Sequence, residues 1–158
     1  MQEYLKYEKE NYPTADKDKD LEFWKNELID VPLRVSLPDM RAEKREGLPK
    51  GGESYYFDFD QQLSTKIKEI SRKNRSTPFW FLLTAWSLLV SKLSYQEDMV
   101  LNYPINVRPP KFRGLVGCMI NTALIKIDID QTKSVSELLK LITEQRRKSK
   151  SHQRAPLS

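Results

Sequence analysis

The chain has 158 residues, of which 27 are basic and 22 acidic, for a formal net charge of +5, and 39% of its residues are apolar. This is enough for one domain, or one lobe of a larger domain, with a buried core, and the composition is neither that of a membrane protein nor that of a disordered tail. The single cysteine excludes an intrachain disulfide, and the single histidine excludes histidine-rich metal sites.

Residues 1–53 predict an approach segment with one short helix and a charged loop. The helix is expected over residues 17–29, where apolar residues recur from Leu21 at i, i+3 and i+7. Residues 41–52 are charged and have no apolar period, which is typical of a loop. The first 30 residues contain no apolar run, so we expect no secretory signal and a cytoplasmic location.

Residues 54–158 predict the core of the fold. The aromatic stretch 54–59 favours a strand, and residues 61–72 favour a helix with one apolar face. A second helix is expected over residues 78–93, because Pro78 suits the first turn of a helix and Ser76 or Thr77 can cap its free amides. This helix is apolar on nearly every side, so we expect it to be buried on several sides.

Two strands and a last helix follow. Residues 99–103 predict a strand that Pro104 ends, and residues 115–129 predict extended chain in which Gly117 marks a bulge, a bend or a close backbone approach. Residues 134–137 match a capping box that opens the last helix. The element order predicts an α/β fold, of the two-layer α+β kind, with a mixed β-sheet covered by helices.

The residues themselves offer little catalytic chemistry. The lone histidine, His152, lies in a basic tail that we expect to be exposed, and a structural role suits it better than catalysis. Cys118 is expected to be a small buried hydrophobe. Five glycines are too few for a phosphate-binding loop, and no cluster of residues predicts a metal site. The basic residues are not dense enough to predict nucleic-acid binding, and no apolar run is long enough to span a membrane.

Two polar features are harder to explain as simple fold elements. Asn121 lies in an apolar run, so its amide needs a partner, either local backbone or a ligand in a cleft. Asn106 and Arg108 lie beside prolines in a stiff loop at a strand end, where binding sites are common. A third feature, the basic residues 146–148, fits either an anionic partner or the negative end of the helix dipole.

Seven short motifs in order across nearly the whole chain resemble those of the condensation domains of nonribosomal peptide synthetases. These domains have the chloramphenicol acetyltransferase-like, CoA-dependent acyltransferase fold. The motifs are Tyr4–Tyr7, the segment 20–28 around Trp24, Leu33–Pro38, Ser76–Phe79, Gln96–Arg108, Val116–Thr122, and the His-Gln-x-x-Pro sequence formed by His152, Gln153 and Pro156.

The resemblance implies an acyltransferase whose catalytic His-His-x-x-x-Asp-Gly motif is not in this chain. The chain then corresponds to the C-terminal lobe of the domain, truncated at its own C-terminal end, with no catalytic residue of its own and no activity alone. The parent domain would join a carrier-bound thioester donor to an amine acceptor. No cofactor is expected to bind directly, but the phosphopantetheine arms of carrier proteins would deliver the substrates.

Three residues acquire expected roles from the resemblance. Asn121 would project toward the substrate tunnel, Gly117 would allow close packing of its strand, and Arg108 would shape the loop near the channel. Two departures weaken the match: Lys126 stands where the family usually has arginine, and Asn102 where it usually has glycine.

The expected partners are the first lobe of the same domain, carrier proteins and adjacent adenylation domains. One alternative is a non-catalytic module that docks an acidic carrier protein through Arg146, Arg147 and Lys148. Another is a lobe of a related acyltransferase that uses CoA or alcohol acceptors. A lobe without its partner should also expose an apolar face and self-associate.

Overall fold

A computed structural model describes residues 2–37 and 54–155 of the chain. Five helices, two strands and two short 3-10 turns form the described fold. In chain order the elements are α1 (Gln2–Asn11), α2 (Thr14–Glu27), α3 (Gln61–Lys73), α4 (Pro78–Ser94), β1 (Asp98–Asn106), a turn at Pro110–Phe112, β2 (Ile120–Asp128), α5 (Val135–Ser149) and a turn at Lys150–His152.

The two strands pair antiparallel, with Met99 opposite Ile127 and Tyr103 opposite Ala123. Alternate residues of β2 are buried, which is the period-2 pattern of a strand with one covered face. Helix α5 contacts β2 and α4, and α3 contacts α4. The main core lies between the sheet and these helices. Its buried members are Trp80, Val90, Met99, Tyr103, Ala123, Ile125, Ile127, Ile129, Leu138, Leu139 and Ile142. The predicted α/β class, with helices covering a sheet, is confirmed.

Local capping explains where the later helices begin. The Asp60 carboxylate accepts a hydrogen bond from the Leu63 amide at 2.7 Å and opens α3. Ser134 and Glu137 cap each other's amides and open α5, so the predicted capping box is confirmed. Thr77 occupies the N-cap position of α4 and makes no side-chain capping bond, while Pro78 fills the first turn as predicted.

Four predictions about the elements are wrong. The N-terminal region holds a helix that was not predicted, α1, whose charged sequence buries only Tyr4. Residues 54–59 form no strand, and the side chains of Tyr55 and Tyr56 are exposed. Pro104 does not end β1. With only two described strands, β1 is an edge strand, and an edge strand tolerates a proline, which has no amide hydrogen to donate. Strand β2 begins at Ile120 rather than at residue 115.

The prediction that α4 is buried on several sides is also wrong. Its buried face carries Trp80 and Val90 together with three small polar residues, Thr84, Ser87 and Ser91. The Thr84 and Ser87 hydroxyls donate to backbone carbonyls one turn earlier, both at 2.8 Å. The opposite face carries larger apolar side chains that lie in solvent. The predicted loop over residues 41–52 and the end of the Leu33–Pro38 motif lie outside the described residues.

Candidate functional site

The segment 150–155, here called the strap, follows α5 and joins several of the predicted site residues. The Asn121 side-chain amide donates to the Gln153 carbonyl at 2.9 Å and lies 3.4 Å from the Ala155 carbonyl. The Gln153 amide in turn donates to the Tyr103 hydroxyl at 2.6 Å. The expected partner was either local backbone or a ligand in a cleft, whereas the backbone partner that the structure shows lies 32 residues further along the chain. Asn121 therefore ties β2 to the strap.

A second set of contacts holds the strap to α2. The His152 Nδ1 atom lies 2.8 Å from an Asp20 carboxylate oxygen, and the His152 ring stacks on Phe23 with centroids 3.9 Å apart. The Trp24 indole donates to the His152 carbonyl at 2.8 Å. His152, itself a residue of the strap, is thus half-buried against α2. The expectation that it lies in an exposed tail is wrong, because three side chains of α2 contact it.

Asp20 links this cluster to the loop between α1 and α2. Its second carboxylate oxygen accepts a hydrogen bond from the Tyr12 hydroxyl at 2.6 Å. Burial, followed by this hydrogen bond and the charge of Asp20, raises the pKa of Tyr12 well above its ordinary value, so the hydroxyl stays protonated and donates. Asp20 is itself buried, and its two oxygens are satisfied by Tyr12 and His152.

Arg108 holds together the loop between the strands. Its guanidinium donates to the carbonyls of Phe112, at 3.0 Å, of Gly117, at 2.8 Å, and of Leu115. The Asn106 side chain accepts from the Arg108 amide at 2.9 Å and fixes the start of the loop. A fork of several donors suits one guanidinium binding several carbonyls at once. Arg108 therefore fixes the conformation of the loop from residue 109 to 117 by binding three of its carbonyls.

A half-open cavity of about 290 Å³ lies between α1, the end of β1 and the strap. Arg108, Gln153 and Tyr4 line it, and Lys150 and Arg154 bring positive charge against the single carboxylate of Glu8. Its volume is near the lower end of the range for small-molecule sites. Burial, then the charge and hydrogen bond of Glu8, raises the pKa of Tyr4, so its hydroxyl is a donor. We call this cavity the strap cleft.

The strap cleft offers hydrogen-bond donors and cations but no nucleophile paired with a base. Neither histidine nor cysteine is among the described residues that line it. Arg154 donates to the Asn11 carbonyl at 3.2 Å, and its guanidinium lies 4.3 Å from the centre of the Tyr12 ring. The cleft can therefore bind and orient a polar ligand.

The basic end of α5 is largely engaged within the chain. The Arg146 guanidinium lies 4.9 Å from the centre of the Trp80 ring, and the Lys148 ammonium lies 2.5 Å from a Glu27 carboxylate oxygen. Burial would raise the pKa of Glu27, but hydrogen bonds from Lys148 and Gln145 outweigh it and lower that pKa. Arg147 is exposed, and no ion pair involves it among the described residues.

Several other predicted features can now be placed. Cys118 is exposed, so its expected burial is wrong; its neighbour Met119 is the residue of this segment that is buried, in a cluster with Tyr4 and Phe112. Gly117 contributes its carbonyl to Arg108 and is not among the residues that line the strap cleft. Pro156 lies outside the described residues. Within residues 2–37 and 54–155, no cluster of side chains could hold a metal ion, and no helix is long and apolar enough to cross a membrane.

The strap brings together motifs that are far apart in the sequence. Trp24 and His152 come from two motifs far apart in the chain and meet directly, and Asn121 meets Gln153 in the same way. The sequence did not indicate Tyr12, Asp20 and Phe23 as partners of His152. An acidic residue four positions before Trp24, on the same helical face, is the one signal that could have pointed to Asp20.

The class of protein to which this fold and arrangement belong follows from one match: the family model for the Condensation domain matches residues 1–158. The chain belongs to the condensation domain family. Malpibaldin synthetase of Mortierella alpina is 29% identical over 135 residues, which are 85% of this chain and 2% of that protein. The resemblance to condensation domains of nonribosomal peptide synthetases is confirmed.

Solved structures agree with this assignment. A four-domain nonribosomal peptide synthetase, holo-AB3403 bound to AMP and glycine, matches with a TM-score of 0.77 and 27% identity over 90% of this chain and 11% of that one. The condensation domain of the Monacolin K polyketide synthase MokA matches with a TM-score of 0.75 and 18% identity over 99% of this chain and 38% of that one, which shows the shared fold. The chain thus spans a small part of the proteins it resembles.

Proposed function

We propose that this chain is the second lobe of a peptide synthetase condensation domain, which forms an amide bond between two carrier-bound substrates. The observation that carries the proposal is the junction of the Val116–Thr122 motif with the His152 motif. Asn121 of the first bonds to Gln153 of the second, and Gln153 lines the strap cleft with Arg108. Two family motifs thus support the wall of one polar cavity.

In the proposed reaction the acceptor amine attacks the thioester carbonyl of the donor. The carbon–nitrogen bond forms, the carbon–sulfur bond breaks, and the proton lost by the amine leaves with the thiol. The residues of this lobe bind and orient the substrates on their phosphopantetheine arms, and no cofactor binds directly. Holding two reactants in position is a large part of the acceleration of such a transfer.

Proton transfer in this proposal belongs to the first lobe. The chain contains one histidine, which pairs with Asp20 and stacks on Phe23. A His-His-x-x-x-Asp-Gly motif must therefore come from other sequence, and the adenylation and carrier domains of the same synthetase would supply the loaded substrates.

The test is amide formation from a donor and an acceptor that are each loaded on a carrier protein. We expect no product from the chain alone and product when a first lobe with the catalytic motif is added. The Asn121→Ala variant should lower the rate, because the strap loses its hydrogen bond to β2. Leu63→Ala, on the exposed side of α3, serves as its control. Turnover by the chain alone would contradict the proposal.

One observation favours a second candidate, a docking module for an acidic carrier protein. Arg147 is exposed in the last turn of α5, beside the engaged residues Arg146 and Lys148. Titration of a carrier protein at rising salt should then show weaker binding, and Arg147→Gln should reduce that salt dependence. Unchanged affinity and salt dependence would exclude this function.

The other alternative is a lobe of a related acyltransferase that uses alcohol or CoA acceptors. Replacing the amine acceptor by an alcohol or by CoA in the condensation assay tests it.

A further inference from the structure

Residues 54–59, here called the aromatic segment, lie before α3 with their side chains largely in solvent. The exposed fractions are 87% for Tyr55, 89% for Tyr56 and 67% for Phe57. Among the described residues, no backbone carbonyl accepts a hydrogen bond from the amides of this segment, and neither β1 nor β2 pairs with it. The segment therefore has the residue types of a strand but an open row of backbone donors and acceptors.

The aromatic segment already has the geometry of a β-strand. The ring centroids of Tyr55 and Phe57 lie 6.1 Å apart, and those of Phe57 and Phe59 lie 5.5 Å apart. Residues two positions apart share one face of a strand and are separated by roughly 6.5 Å along it. The three rings therefore form one apolar face, and Tyr56 and Asp58 belong to the other.

The C-terminal end of the aromatic segment is fixed on α3. The Asp60 carboxylate accepts a hydrogen bond from the Leu63 amide at 2.7 Å, and the Phe59 carbonyl accepts one from the Ser64 hydroxyl at 3.4 Å. These bonds hold the segment beside the first turn of the helix. A strand that is held at one end loses less conformational freedom when it pairs.

The aromatic segment lacks the features that protect a free edge. Edge strands that face solvent commonly carry lysine or proline, or contain a bulge, and these block pairing with another strand. This segment has neither lysine nor proline, and Asp58 is its only charged residue. Its composition is therefore that of a paired strand rather than that of a free edge.

We propose that the aromatic segment adds as a strand to the edge of a β-sheet in the part of the condensation domain outside this chain. Its ring face, formed by Tyr55, Phe57 and Phe59, would be covered there. The inference rests on the proposed function, because that function supplies the neighbour. The condensation domain of MokA, which has the same fold, is more than twice as long as this chain, which covers 38% of it.

The rest of the same polypeptide is a stronger competitor for this segment than a second copy of the chain. A neighbour joined through the polypeptide has an effective concentration on the order of millimolar. A second copy reaches that value only in a concentrated solution. At micromolar concentration the strand should therefore pair within its own domain.

Amide hydrogen exchange, measured by NMR on this chain alone and on the whole condensation domain, tests the pairing. With one neighbouring strand, only alternate amides donate, because successive residues point to opposite sides. We expect the amides of residues 55, 57 and 59, or those of residues 54, 56 and 58, to exchange at least about a hundredfold more slowly in the whole domain. The other set should change little. In this chain alone, all of them should exchange rapidly.

Tyr56→Pro and Phe57→Pro serve as controls for each other. Each removes one amide and imposes the same backbone angle, but the two amides point to opposite sides of the strand. In the whole domain, one variant should lower the protection of the remaining paired amides by at least about tenfold, and the other should keep it. Circular dichroism verifies that both variants are folded.

Three results would overturn the proposal. The first is rapid exchange of every amide of the aromatic segment in the whole domain. The second is an equal effect of the two proline variants, because pairing through alternate amides is then absent. The third is protection in this chain alone that rises with its concentration, because a second copy then supplies the strand.

The same whole domain is assayed separately for amide formation from two loaded carriers. Product without protection of the aromatic segment would reject the strand pairing and leave the condensation function intact. Protection without product would support the pairing and reject the condensation function.

Discussion

At the scale of single residues, side chains from distant parts of the sequence hold the strap. His152 pairs with Asp20, 132 positions earlier, and Asn121 bonds to Gln153, 32 positions later. Sequence patterns predicted that Asn121 needs a partner, because a buried amide without one is costly. They could not identify the partner, since hydrogen bonds between distant segments leave no local period. The same reason explains why His152 was expected to be exposed.

The three carbonyl contacts of Arg108 predict a specific cost for its replacement. In Arg108→Lys the charge remains, but an ammonium cannot reproduce the planar fork that reaches all three carbonyls. We expect the free energy of unfolding to fall by about 1–2 kcal/mol, as for the loss of hydrogen bonds to a charged group. Urea unfolding measures it. Arg113→Lys, in the same loop and exposed, should cost almost nothing, and equal losses in the two variants would contradict the role of Arg108.

Glu27 predicts a pH dependence of stability. Its pKa in the folded chain lies below the ordinary value of 4.5, so its ion pair stabilises the fold above that value, and this stability is lost as the pH falls through the folded pKa. Glu27→Gln should therefore lower the free energy of unfolding by about 0.5–1 kcal/mol at pH 7, a small value because Lys148 is more than half exposed. The loss should become progressively smaller in acid. Thermal unfolding from pH 7 to pH 3 measures this difference.

Glu22→Gln is the control for this prediction, because Glu22 is exposed on the same helix. Its effect on stability should be smaller and nearly independent of pH. A constant difference between Glu27→Gln and the unchanged chain across the acidic range would mean that Glu27 does not act through its charge.

At the scale of elements, local signals at the first turn predicted where α4 and α5 begin. The capping box before α5 and Pro78 at the start of α4 both lie where the sequence placed them. Helix α1 has no such signal, and nothing in its charged sequence indicates that Tyr4 contacts Phe112. Residues 54–59 have strand propensity, but propensity does not supply a neighbouring strand, and within the described residues none pairs with them.

The capping box of α5 predicts the effect of a single substitution. Ser134→Ala removes the hydroxyl that accepts from the Glu137 amide, so the free energy of unfolding should fall by about 1 kcal/mol. Chemical denaturation measures the change. Ser136→Ala lies two residues further on, in the first turn of α5, and should have a much smaller effect. If both substitutions cost the same, the box contributes nothing specific to the start of α5.

At the scale of the whole molecule, the structure shows where the few reactive side chains that the composition provides are placed. The sequence has one histidine and one cysteine, and the structure uses the histidine to hold the strap while leaving Cys118 exposed. The order of the motifs predicted the family, and the family match over residues 1–158 confirms it. An exposed apolar face was expected for a lobe without its partner, but its location on α4 was not predicted, because an apolar run on all sides of a helix does not show which side will be covered.

Complementation between lobes tests the central proposal most directly. A fixed amount of first lobe is mixed with rising amounts of this chain, and amide product is measured from two loaded carriers. We expect product to rise to a plateau at one chain per first lobe, and to be absent when the second histidine of the His-His-x-x-x-Asp-Gly motif is replaced by alanine. Product from this chain without a first lobe, or a rate from the first lobe that this chain does not change, would contradict the proposal.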